Sequence, residues 1–179
     1  MGWKEVDKIK IQLRPLNLLQ FSNKNIEYGP EGREDLIQEL LTIYQNQLKS
    51  TERLFTPKNI DYIKWRYLDN PLQDYKVLFN EEYFIAGYLK ERKWINEFRV
   101  SESIHTKAGA QSTKMSILGL AKSTGARALS ISPDTEIYFK MSIKGNFGPV
   151  LTFKPVNIDQ SEFLDLNRWT YSLGDLELF

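Results

Sequence analysis

The sequence predicts a mixed α/β (α+β) layer, and three observations carry that prediction. Strict alternation marks strands, most clearly in Lys8-Ile9-Lys10-Ile11-Gln12-Leu13-Arg14. Apolar residues at Leu36, Ile37, Leu40, Leu41, Tyr44 and Leu48 fall at helical spacings. In the second half a strand meander runs into a strand–helix–strand crossover, a succession that builds a sheet with helices packed on it.

The elements follow in order. Residues 8–14 form a strand ended by Pro15, with Ile9, Ile11 and Leu13 on one face and Gln12 and Arg14 on the other. Three aliphatic side chains on a free edge would invite association, so this strand is expected to pair with the main sheet or with another chain. Pro30 to Glu34 is turn-like and its acidic residues open a helix that ends near Ser50. Thr56-Pro57 is an N-cap and first-turn pair for a short helix through Ile60, Ile63, Trp65 and Tyr67, stopped by Asn70-Pro71. Tyr75 to Phe79, the tight turn Asn80-Glu81-Glu82 and Tyr83 to Lys90 make a hairpin. Trp94 to Ser101 alternates, with Trp94, Asn96, Phe98 and Val100 on one face, and a loop holding His105 and Gly109 follows. Ser112 to Ser123 is a helix with a glycine stop at Thr124-Gly125. Ala126 to Ser132 is a strand, Asp134 opens a helix through Ile137, Tyr138 and Met141, and Val150 to Lys154 and Arg168 to Leu173 are the last strands.

Composition excludes several function classes. The 179 residues include 24 Lys+Arg and 23 Asp+Glu, a net charge of +1, so no global basic field favours nucleic acid or an anionic membrane. With no Cys there is no disulfide, thiolate zinc site, iron–sulfur cluster or Cys nucleophile. The single His excludes multi-His metal sites, leaves only His105 for a Ser-His-Asp triad, and no metal is expected. No stretch approaches the length of a membrane span, and Met1-Gly2-Trp3-Lys4-Glu5 lacks the apolar run of a signal peptide, so the expected compartment is the cytoplasm. Charge is uneven: residues 85–127 carry eight basic and three acidic side chains, while residues 159–179 carry five acidic and one basic.

Gly2-Trp3 precedes a strand ending in Arg14-Pro15-Leu16, and Gly145-Asn146-Phe147 precedes one ending in Lys154-Pro155-Val156. The echo is ordinary glycine-to-proline punctuation, or it marks residues 1–16 as the closing strand of a preceding, similar domain, with 17–179 as a single domain.

This element order resembles the GCN5-related N-acetyltransferase (GNAT) fold, a mixed, largely antiparallel central sheet flanked by helices. The local match is the loop, the helix Ser112–Ser123, Gly125-Ala126-Arg127, the strand after it and a helix ending at Gly145. Trp65-Arg66-Tyr67, Asn70-Pro71 and Tyr75 before a strand, with the ending Trp169-Thr170-Tyr171-Ser172-Leu173-Gly174-Asp175, resemble the second half of two-domain GNAT-like proteins. The resemblance implies acetyl-CoA or another acyl-CoA as cofactor. It places the pyrophosphate at Lys107, Ala108, Gly109, Ala110, Gln111, Ser112 and Thr113, with the helix N-terminus facing a cleft between two central strands. The loop departs from the family pattern, with Thr106 at its first position and Gln111 at its last. The family's proton-donating Tyr corresponds to Met141, and Tyr138 one turn earlier is the nearby candidate. Amine attack needs a route for a proton; Glu97 and Glu102 are the carboxylate candidates, on opposite faces of a regular strand. His105 lies between a strand end and the loop.

Three functions remain open. One is an acyl-CoA-dependent N-acyltransferase acting on a small amine or amino sugar. A second is a non-catalytic GNAT-like half serving a catalytic partner domain as interface or substrate-recognition domain. A third, a carbohydrate-binding module, draws on four Trp and nine Tyr. The partners implied are a second copy in a homodimer or a preceding GNAT-like domain.

Overall fold

A computed structural model describes residues 2–16, 33–133, 137–154 and 163–176. The expectations at Pro30–Gly32, Asp134 and Pro155-Val156 lie outside the described residues.

The main sheet has six strands in the order β3 (Lys76–Phe79), β4 (Tyr83–Lys90), β5 (Glu97–His105), β6 (Ala128–Ile131), β2 (Ile11–Pro15) and β7 (Ile143–Gly145). All neighbours are antiparallel except β5 and β6, the two strands joined by α3 (Ala110–Ser123). A separate ribbon pairs β1 (Lys4–Lys8) with β8 (Val150–Phe153). Helices cover both faces. Leu78 and Ile85 turn to α3 and its Ile117, while the intervening Val77, Phe84 and Ala86 turn to α1 (Glu34–Lys49) and its Ile37, Leu40 and Leu41. This is the mixed, largely antiparallel sheet flanked by helices that the sequence predicts.

The predicted strand 8–14 divides in two. Ile9 N–H donates to Pro149 O at 2.9 Å, and both backbone groups of Lys10 bond the Tyr171 hydroxyl. The chain therefore leaves the ribbon there and enters the main sheet, where β2 lies between β6 and β7, with no free edge. Gln12, expected on the polar face, is fully buried and donates to Ser142 Oγ at 2.7 Å.

Four further expectations are corrected. Asn59, not Thr56, caps α2 (Ile60–Ile63), its Oδ1 accepting from Tyr62 N–H at 2.8 Å; the chain then widens into a π turn over Lys64–Leu68. Residues 137–142 are not helical. Ile137 and Phe139 are buried and Tyr138 between them is exposed, which is the period of extended chain, and Met141 takes a positive φ of 59°. Arg168–Leu173 is not a strand: a 3₁₀ turn, Leu166–Arg168, leads to a single parallel bridge between Leu54 and Trp169. The third strand of the meander starts at Glu97 and runs on through His105, so His105 ends a strand and is buried.

A fifth correction shapes the site. Ala86 pairs with Glu102 but Gly87 pairs with Val100, so Ser101 is an extra residue, a β-bulge. Phe98 and Val100 face α3, and beyond the bulge Glu102 and Ile104 face α1. The slip of one residue cancels the odd spacing, so Glu97 and Glu102 share a face instead of lying on opposite ones.

Candidate functional site

The bulge bends β5 away from β6. The two strands pair only through Glu97–Arg99 and Ala128–Ser130, and beyond that point they separate. The opening is a cleft lined by Glu102–Ile104 of β5, Ile131–Pro133 at the end of β6, residues of α1, Lys58 and the C-terminal segment Thr170–Ser172 with Asp175. The internal space is about 30 Å³, room for one group the size of a water or an ammonium.

Its floor is a buried charge cluster. Lys58 Nζ lies 2.5 Å from Glu102 Oε2 and 3.2 Å from Asp175 Oδ1, and it donates to Ser172 Oγ at 3.1 Å. Tyr67 OH donates to Glu102 Oε2 at 3.1 Å. Asp175 in turn accepts from Ser172 N–H at 2.8 Å, which closes the C-terminal segment on the cluster. Burial pushes the Glu102 carboxyl above its ordinary value, and neighbouring Asp175 adds to this, against the opposing pull of Lys58. Burial lowers the Lys58 ammonium, but Glu102 and Asp175 outweigh it and hold the group above its ordinary value. Burial also raises the Tyr67 hydroxyl well above its usual value. Two carboxylates and one ammonium line the cleft; Arg66 lies beside them, its guanidinium donating to Gly174 O at 2.9 Å. Gly174 fits because it has no side chain: a Cβ there would lie 2.1 Å from Tyr67 OH.

Residue type and spacing alone do not mark Lys58, Tyr67, Ser172 and Asp175 as site residues. Tyr67 and Asp175 do fall inside the two patterns that carry the family resemblance, and the fold brings those patterns into contact. No sequence signal marks Lys58, which is charged but sits in an irregular connector.

The sequence-predicted residues are dispersed. Glu97 lies at the closed end of the splay, where it accepts from Ser130 Oγ at 2.5 Å and Arg92 Nε at 2.6 Å, with Arg99 close by. Burial would raise its carboxyl, but Ser130, Arg92 and Arg99 together hold it below the ordinary value. Tyr138 is exposed on an irregular segment, its ring 5.6 Å from Lys144 Nζ, and it does not line the cleft. His105 is buried against Tyr44, with ring centroids 5.9 Å apart.

The loop Lys107–Thr113 packs tightly on its neighbours. Gly109 N–H donates to Thr106 O and Thr106 Oγ1, and Ala110 N–H to Lys107 O, so these two amides are engaged within the turn. The open face of Gly109 is filled: a Cβ there would lie 2.8 Å from both Cβ and backbone O of Glu82. The glycine lets the loop pack on the β3–β4 turn, where Thr106 N–H also bonds Glu82 O at 2.9 Å. The start of α3 therefore abuts that turn, and neither the loop Lys107–Gly109 nor Ala110, Gln111, Ser112 and Thr113 line the cleft. Lys114 points elsewhere, 5.8 Å from the Phe139 ring. Among the described residues no group of three or more His, Asp or Glu side chains could hold a metal, and no helix is long and apolar enough to cross a membrane.

No protein-family model matches the chain, and no curated protein matches it. Among solved structures it is similar to a GCN5-related N-acetyltransferase from Anabaena variabilis, with a TM-score of 0.51 and 11% identity. The similarity covers 80% of this chain and 39% of the Anabaena chain, so the chain spans about two fifths of that protein's length. The fold is GNAT-like.

Proposed function

We propose that the chain is the acceptor-recognising half of a GNAT-type N-acyltransferase, taking a small amine or amino sugar. Acetyl-CoA or another acyl-CoA is then held by a second GNAT-like domain or a second copy of the chain. One observation carries this reading: the splay between β5 and β6 has a built, charged floor at Lys58, Glu102 and Asp175, while the loop that would hold the donor's pyrophosphate is closed on Glu82.

An amine acceptor arrives at neutral pH as an ammonium ion. Among the described residues the cleft is lined by two carboxylates and one lysine, so it offers the ammonium a carboxylate to pair with, and the apolar side chains around them strengthen that pairing. Asp175, the less buried of the two carboxylates, meets the amine; Glu102, tied to Lys58 and Tyr67, fixes the floor. The separation of β5 from β6 favours a second reading, a chain active alone as an N-acyltransferase.

Calorimetry at low salt separates the two. Glucosamine should bind the wild type and bind Asp175→Asn several times more weakly. Lys107→Glu should leave any response to acetyl-CoA unchanged, and the chain alone should not acetylate glucosamine. Turnover by the chain alone, with acetyl-CoA binding abolished by Lys107→Glu, would establish the second reading instead.

A further inference from the structure

Beside the main cleft lies a second cavity of about 140 Å³, and Pro133 and Tyr171 are walls of both. Its other walls include Lys10, Arg53, Lys144 and Trp169, and no carboxylate among the described residues lines it. The three cations come from separate parts of the chain: the β1–β2 junction, the connector after α1, and edge strand β7. Like charges gathered around one cavity repel unless an anion joins them.

Each cation is held in place. Both backbone groups of Lys10 bond Tyr171 OH, and its Nζ reaches Asn167 Oδ1 at 3.3 Å. One Arg53 Nη donates to Trp169 O at 2.7 Å, and its Nε is buried with no hydrogen-bond partner among the described residues. A buried guanidinium N–H without an acceptor is costly, and Arg53 is a wall of this cavity. Lys144 pairs with Gln12 across the sheet edge, lines the cavity, and has its ammonium 5.6 Å from the Tyr138 ring centroid. Among the described residues, Asp165 accepts from Asn167, and Asp175 and Glu102 face Lys58.

We infer that this cavity binds a phosphate or diphosphate group, and that the acceptor is a phosphorylated amine whose amino end enters the neighbouring cleft. The second part rests on reading that cleft as the acceptor site. Three cations suit a multiply charged phosphate better than a single carboxylate, and the planar Arg53 fork matches phosphate oxygens. The cavity exceeds by several times the roughly 30 Å³ that a water occupies in the liquid, enough for a phosphate group.

Calorimetry of the whole chain with inorganic pyrophosphate at low salt is the test, with acetate as the comparison anion. Pyrophosphate should bind and acetate should not. Lys10→Gln and Lys144→Gln combined should weaken pyrophosphate at least about tenfold, while Lys107→Gln in the α3 loop should change nothing. Arg53→Gln should weaken it further; because Arg53 also ties down Trp169, the two lysine variants decide the question if that variant does not fold. No pyrophosphate binding, equal binding of acetate, or binding indifferent to both lysines would overturn the site. Glucosamine 6-phosphate should bind more tightly than either glucosamine or pyrophosphate. If it binds no better than pyrophosphate, the link between cavity and cleft falls. If glucosamine alone fails to bind while pyrophosphate binding still depends on both lysines, the proposed function falls and the phosphate site stands.

Discussion

Glu102 accepts from Lys58 and Tyr67 where almost no solvent reaches, so its charge depends on its partners. Removing one partner of such a pair leaves the other charge buried and poorly compensated, which costs about 3–5 kcal/mol. Lys58→Met, which leaves both carboxylates without their cation, should therefore lower stability by roughly that amount in urea denaturation, and adding Glu102→Leu should recover only part of the loss because Asp175 stays unpaired. Glu97 gives the acid limb of the pH profile. Its carboxyl is held below the ordinary carboxylate value, so it contributes stability above that ordinary value and loses the contribution as pH falls through the lower folded one. Glu102 has the opposite sign: its raised value favours the fold when it is protonated and ceases to do so as pH rises through it. Denaturation midpoints between neutral pH and about pH 3 should fall less steeply in Glu97→Gln than in the wild type.

At the scale of elements, the bulge at Ser101 decides what the cleft contains. Gly87 sits opposite it, and a Cβ there would lie 2.6 Å from Arg99 O and 2.8 Å from the Phe98 ring. Gly87→Ala should cost about 1–3 kcal/mol, read as a lower thermal midpoint, because backbone and a core ring must both move. Helix α1, the β3–β4 hairpin and α3 are legible in the sequence because each carries its own period and end signals, such as Gly125 with φ of 74°. The bulge is not legible, since an extra residue in a ladder depends on a partner strand far along the chain. Residues 137–142 mislead differently. Ile137, Tyr138 and Met141 fit a helical spacing, but burial of Ile137 and Phe139 on the sheet selects extended chain.

Across the whole molecule, the GNAT-like order of strands and the parallel β5–β6 pair follow from the succession of elements, and the strand 11–15 is held inside the sheet rather than at its edge. The cleft is legible only in part. Tyr67 and Asp175 lie inside patterns that the sequence offers, yet they lie far apart in the chain and meet only after folding, together with Lys58. The loop at Gly109 supplies the opposite lesson: a glycine before a helix permits a phosphate cradle, and here the same glycine permits packing on Glu82. Amide chemical-shift mapping with glucosamine and with acetyl-CoA, each added to the isolated chain, separates these roles residue by residue. The account predicts that glucosamine moves the amides of Glu102–Ile104 and Thr170–Asp175 while acetyl-CoA leaves those of Lys107–Thr113 in place. Shifts at Lys107–Thr113 on adding acetyl-CoA, with the amides of Glu102–Ile104 and Thr170–Asp175 silent to glucosamine, would contradict it.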